Sequence, residues 1–184
     1  MGRPRKFSRE GVLQKALPVF WKFGFARTTL LDLEQATGVN KSGLYAEFES
    51  KEALFVACLR HYLATRTSGA LLTAEPLGWG NIERFLEVAP SCTFDQRGCF
   101  SVNSMRELDC LPAEARKVIA DGSAKLKQLL GANVAVENPK MDAKPVCELI
   151  SVFFSGICIE ANLNPDRRRA QRKIRDFMRM LKAA

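Results

Sequence analysis

The chain has 184 residues, 47% of them hydrophobic and 26% charged, with 28 Lys and Arg against 20 Asp and Glu, one His and six Cys. That apolar content supports a sizeable core, and with only 12 Gly and 8 Pro it excludes a disordered or collagen-like chain. The formal charge of +8 favours an anionic partner, with nucleic acid the first candidate.

In chain order, Ser8 opens a first helix in which Leu13, Ala16, Leu17, Phe20 and Trp21 recur at threes and fours. Gly24 ends it, and Pro18 inside it is expected to kink it. Thr28 and Thr29 cap a short helix over 30–37 that Gly38 ends, and Asn40 caps a third over 41–47. Ser50, Lys51 and Glu52 open a long fourth helix running to about Ser68. Beyond Gly69, the stretch from Pro76 to Gly80 is a loop, Asn81 caps a helix to about Val88, and 90–97 form an irregular connection. Residues 98–111 read as helical, and Pro112 suits the first turn of a helix running to about Gly131. A polar loop over 137–144 precedes the most apolar helix, 145–163. Asn164 and Pro165 start the last helix, whose Ala170, Ile174, Phe177 and Leu181 mark one face. No run alternates with period two for more than a few positions, so the expected fold is all-α.

The cysteines stand at 58, 92, 99, 110, 147 and 158, and no pair has the two-residue spacing of a zinc site, so no metal is expected. No apolar stretch follows the N-terminal charges as in a signal peptide. The uncharged run 149–159 is shorter than the roughly 20 residues that span a bilayer. The expected setting is the cytoplasm, with reduced thiols and no membrane partner.

A short helix, a tight turn beginning at Gly38 and a second short helix form the outline of a helix-turn-helix. Leu33, Ala36, Val39, Leu44 and Phe48 can lock the helices together. Lys41, Ser42, Gly43 and Tyr45 are then left at the N-terminal end of the second helix, where small and polar side chains enter a major groove. Lys51 at the start of the next helix offers a cation to a phosphate. The alternative is a helical hairpin with a solvated face.

The elements Gly24-Phe25, Thr28-Thr29, Gly38-Val39, Gly43-Leu44-Tyr45, Phe48 and Ser50-Lys51-Glu52 occur in order between Phe20 and Phe55. This run resembles the N-terminal domain of the TetR family of transcriptional repressors. The resemblance implies an N-terminal three-helix helix-turn-helix DNA-binding domain, 1–50, joined by a long helix to a C-terminal helical domain, 51–184, for ligand binding and dimerisation. It also implies a homodimer that binds a near-palindromic double-stranded operator through recognition helices 41–47 and lets go when a small molecule or thiol-reactive compound acts on the C-terminal domain. Carried over residue by residue, Thr28 and Thr29 meet the phosphate backbone, Lys41, Ser42, Gly43 and Leu44 the groove, and Tyr45 and Lys51 phosphate again. Two positions depart from the pattern: Glu34 replaces a small residue, and Pro18 interrupts the first helix.

Arg3, Arg5 and Lys6 around Pro4 form either a minor-groove arm or a solvated terminus. Residues 165–184 hold eight basic and two acidic side chains, read as the solvated face of an amphipathic helix rather than a second DNA site. The family's dimer interface places Leu149, Ile150, Phe153, Phe154 and Ile157, with Ile174, Phe177 and Leu181, at or near a four-helix contact. Gly98-Cys99 resembles a Gly-Cys element of family members that respond to electrophiles and oxidants, so Cys99 is either a sensor thiol or a small buried hydrophobe. Trp79, Phe85, Phe94, Phe100 and Met105 line the expected effector cavity or pack the core. Two other readings stay open: a metal- or redox-responsive regulator built on Cys92, Cys99 and Cys110, and a small enzyme. Against the enzyme, the sequence has no nucleophile elbow, Gly-rich phosphate loop or paired acids, and His61 reads as a helix-surface residue, so neither catalytic residues nor a cofactor are expected.

Overall fold

A computed structural model of the chain describes residues 7–88, 97–163 and 165–183. The regular elements among them are all helical: α1 Arg9–Arg27, α2 Leu30–Thr37, α3 Lys41–Phe48, α4 Lys51–Thr65, α5 Ser68–Leu72, α6 Trp79–Val88 and α7 Phe100–Ser104. A 3₁₀ helix, Met105–Cys110, follows, then α8 Ala113–Glu137, α9 Ala143–Leu163 and α10 Arg167–Ala183. The all-α expectation holds. Arg3, Arg5, Lys6, the 90–96 connection with Cys92 and Phe94, and Asn164 lie outside the described residues.

The expected starts and stops of the first three helices are close to those observed. Ser8 Oγ accepts the Gly11 N–H at 3.0 Å, and Gly38 ends α2 in the left-handed region at φ 73°. In α1 the dihedrals leave helical values at Gly24 (φ 79°, ψ 172°) and not at Pro18. Proline's fixed φ is itself helical, whereas only glycine adopts a φ near 79° without strain.

Tertiary contacts move several of the later boundaries. The fourth helix stops at Thr65, and a separate short α5 follows. Asn81 is not a cap; it is buried inside α6, whose first residue Trp79 donates its N–H to Glu137 Oε1 at 2.6 Å. Residues 98–111 divide into α7 and the 3₁₀ helix. α8 runs through Gly131 to Glu137, because burial of Leu130, Asn133 and Val134 around it outweighs the roughly 1 kcal/mol that a helical glycine costs.

Packing divides the chain into two compact units, one of residues up to Thr65 with Ser104–Ile119, the other of Arg66–Asn103 with residues from Ala120 onward. The division expected at residue 50 falls inside the first unit, since α4 packs on α1. Phe55 meets Phe20 edge-on at 5.1 Å between ring centroids and Phe25 at 5.0 Å, and all three are buried. In the second unit α9 buries Val146, Ile150, Phe154 and Ile157. Phe154 lies 5.0 Å from Phe85, and Phe153 stacks on Phe177 at 3.9 Å. By length and composition α9 could cross a membrane, yet its buried face is that of a core helix.

A buried polar cluster pins the start of α6 to α8. Asn133 Oδ1 accepts from Gly78 N–H at 2.9 Å and Asn81 Nδ2 at 3.0 Å, while its Nδ2 donates to the carbonyls of Leu72 (2.8 Å) and Leu129 (2.9 Å). Truncating it strands these groups without water. Asn133→Ala should therefore lower stability by about 2–4 kcal/mol, read as a lower Tm in circular dichroism, whereas Gln128→Ala on the exposed side of α8 should change it by less than about 0.5 kcal/mol.

Candidate nucleic-acid interface

The helix-turn-helix is built from local caps reinforced by distant side chains. Thr29 and Asp32 form a reciprocal capping box. Thr29 donates its N–H (2.8 Å) and hydroxyl (2.6 Å) to Asp32 Oδ2, and its Oγ1 accepts the Asp32 N–H. At the turn, Gly38 N–H reaches Glu34 O at 2.9 Å, and the Thr37 hydroxyl donates to Leu33 O while accepting the Val39 N–H. Asn40 Oδ1 caps α3 through the Gly43 N–H at 2.9 Å. The unexpected Glu34 also has a role here: its carboxylate accepts the Lys41 N–H, joining α2 to the first turn of α3.

Two cations fix the surrounding frame. Arg9 donates to the backbone carbonyl and carboxylate of Glu47 at 2.9 and 3.1 Å and lies 4.3 Å over the Phe48 ring, tying the start of α1 to the end of α3. Lys51 Nζ donates to the carbonyls of Phe25 and Thr28, each at 3.0 Å, above the Phe25 ring.

These contacts sort the sequence-predicted residues. Lys41 and Ser42 are exposed on the first turn of α3, with Tyr45 half-buried beside them and Lys41 Nζ 5.8 Å over its ring. Thr29 is exposed at the start of α2. Leu44 is only 1% exposed, so its side chain belongs to the core and is not available to a groove. Thr28 is equally buried, its hydroxyl given to Gly24 O at 2.6 Å, and Lys51 is a half-buried brace of the α1 end rather than a free cation. Gly43 is small for a packing reason: a Cβ there would sit 2.8 Å from Val39 Cγ1 and 3.2 Å from Asn40 Oδ1.

In the second unit, Phe85, Cys99 and Phe100 are buried in the core and Trp79 is half-buried at the start of α6; Met105 belongs to the first unit, and Phe94 lies outside the described residues. Arg66 Nη1 approaches Cys99 Sγ at 3.8 Å. Burial pushes the thiols of Cys58 and Cys147 up, which keeps them protonated and unreactive. Of the expected interface residues, Ile150, Phe154, Ile157, Ile174 and Leu181 are core residues of the chain itself. Leu149 is 47% exposed, and Phe153 and Phe177 are half-buried. A separate open groove of about 720 Å³ in the first unit, floored by Leu13, Val56 and Ala57 beside His61, includes none of the predicted ligand residues.

Two short helices held by a left-handed glycine turn, with an open polar first turn on the second, define a helix-turn-helix domain of the DNA-binding class. The model of bacterial regulatory proteins of the tetR family matches residues 12–58. The HTH-type transcriptional repressor ComR of Escherichia coli (strain K12) is 27% identical over 172 residues, covering 87% of this chain and 82% of that protein. The HTH-type transcriptional repressor BdcR of the same strain is 25% identical over 163 residues, with the same coverage. Among solved structures, a cysteine mutant of the TetR family transcriptional regulator CifR complexed with 26bp double-strand operator DNA shares the fold at TM-score 0.84 and 24% identity, covering 97% of this chain and 98% of that one. The reduced form of Escherichia coli NemR does so at TM-score 0.77 and 21% identity, over 91% and 95%. Residues 12–58 are thus similar to the DNA-binding part of tetR-family regulators, and the chain as a whole shares the fold of the regulators named above.

The capping box makes one part of its stability titratable. Hydrogen bonds from the Thr29 hydroxyl, then from its N–H, hold the Asp32 carboxyl below its ordinary 3.8, with slight burial opposing. A lowered folded value stabilises the native state at every pH above the unfolded one, and that contribution disappears as pH falls through the folded value. Asp32→Asn should therefore lower Tm at pH 7, and the gap from the wild-type protein should close as the pH is taken below 3.8; a gap independent of pH would contradict this.

Proposed function

We propose that this protein is a homodimeric TetR-type repressor that reads a near-palindromic operator with Lys41 and Ser42 and is released by an effector acting on its C-terminal part. The observation that carries the reading is the open first turn of α3, held by Glu34 and Asn40 on a frame braced by Arg9 and Lys51. Thr29 and Tyr45, with Arg3, Arg5 and Lys6, serve the phosphates and the neighbouring minor groove. Thr28, Leu44 and Lys51 shape the reading head from beneath. In this division residues 1–50 read DNA, and 51–184 carry dimerisation and the effector response. The protein acts in the cytoplasm, where its operator is, and needs no catalysis, metal or cofactor.

The dimer contact is the outer face of α9. Val152 and Leu163 are 71% and 84% exposed and share a helical stripe with Leu149 and Gly156, where a Cβ would meet nothing within 4 Å. A glycine costs about 1 kcal/mol in a helix, and close approach of a second helix makes use of it. A second reading of the effector, a thiol-reactive compound at Cys99, is favoured by the Arg66 guanidinium beside its sulfur.

The test is selection of duplexes from random DNA by the purified protein. A selected near-palindrome bound by one dimer supports the proposal, and absence of any sequence preference overturns it. On that duplex, Lys41→Ala and Ser42→Ala should each lose about 1–3 kcal/mol of discrimination against mismatched sites, with random DNA little affected. Equal loss on both would assign these side chains to phosphate. Val152→Arg should convert dimers to monomers in sedimentation at micromolar protein, and a monomeric wild-type chain would remove the interface.

A further inference from the structure

We infer that Glu107 is a positioning residue for DNA binding: its carboxylate closes the break in α1 and thereby fixes the turn from which α2 and α3 are hung. This rests on the repressor reading above for its consequence on DNA, and on geometry alone for the lock.

At Gly24 the backbone of α1 leaves the helical path with φ 79°. The next N–H, that of Phe25, donates to Glu107 Oε2 at 2.6 Å. The site is shaped for that carboxylate, since a Cβ at residue 24 would collide with it, lying 2.8 Å from both Cδ and Oε2. Glycine here therefore satisfies two demands, the positive φ and the room for an acidic side chain.

The same turn is held from its carbonyl side. Lys51 Nζ takes the C=O groups of Phe25 and Thr28, and the Thr28 hydroxyl takes that of Gly24. A carboxylate on the N–H and an ammonium on the carbonyls leave residues 24–28 little freedom, and the next residue is Thr29, the cap of α2. From there the polar links continue through Asp32 to Thr29 and through Glu34 to the Lys41 N–H on the reading turn.

Glu107 is also the least regular part of this set. It lies in a six-residue 3₁₀ helix, longer than such helices usually run, and its own φ of −118° departs from helical values. Lys51 opens the helix beside the motif, but Glu107 comes from the segment Ser104–Ile119, which the chain inserts into the first unit from the second half of the sequence. That segment begins at Ser104, five residues after Cys99 and three before Glu107.

The experiment compares the full-length wild-type protein with Glu107→Ala and Glu107→Gln, each checked for native circular dichroism and Tm. Glutamine keeps an oxygen for the Phe25 N–H, and alanine removes it. In the DNA-free protein, Glu107→Ala should speed amide exchange at Phe25 about tenfold or more while Glu107→Gln stays near wild type. On the duplex selected by the wild-type protein, Glu107→Ala should bind about tenfold more weakly and Glu107→Gln within about threefold. Unchanged exchange at Phe25 in Glu107→Ala overturns the lock. Faster exchange with unchanged DNA affinity overturns its role in binding, and equal losses in both variants overturn the positioning role in favour of general destabilisation. A wild-type protein that selects no duplex overturns the repressor reading instead, with the exchange result still deciding the lock.

Discussion

Packing of Phe55 against both Phe20 and Phe25 is the contact on which the first unit depends. It sets α4 against α1, and α1 carries the turn that leads to α2 and α3. Because the three rings are buried, moving any one of them removes large apolar area from the core, on a scale of about 1.5–3 kcal/mol per side chain. The polar contacts around the reading head form a second layer that presupposes this one. Arg9, Lys51 and Glu107 all act on α1 and the turn that follows it, which the aromatic packing holds against α4.

How much of this was legible in the sequence follows from the range of each interaction. Ser8, Thr29, Gly38 and Asn40 act on backbone groups within a few residues, and the first three helices were readable from them nearly to the residue. Several of the misread features involve partners far along the chain. Asn81 looks like a cap but is buried on Asn133, 52 residues away, and Gly131 looks like a stop but lies in a helix held by tertiary burial. Glu34 stood out as a departure from the family pattern, yet its partner N–H lies across the turn, which spacing alone does not show. Glu107 left no signal beyond being one acidic residue among 20, since its role depends on an 82-residue separation.

The apolar helices show a different limit. Periodicity says that a helix has an apolar face but not how many, nor what covers each. α9 has two: one inside the chain with Ile150, Phe154 and Ile157, and one outside with Leu149, Val152 and Leu163. The interface implied by the family resemblance took Leu149 from the outer face together with Ile150, Phe154 and Ile157 from the inner one. Burial separates them, and among the described residues it leaves the outer face of α9 exposed. Cys99 shows the same ambiguity at the level of one residue, since burial fits a packing role while the neighbouring guanidinium fits a reactive one.

Gly43 constrains how such a reading head can diversify. A Cβ at that position would force Val39 and Asn40 to shift, and Leu44 belongs to the core. On the proposed reading, the turn of α3 offered to a groove is thus an alternation of packed and accessible positions, with Lys41, Ser42 and Tyr45 the ones at which chemistry can change while the scaffold stays put. A lineage built on this frame explores new operators through a narrow alphabet of a few side chains. The same frame limits how far its recognition can drift before the packing itself must be rebuilt.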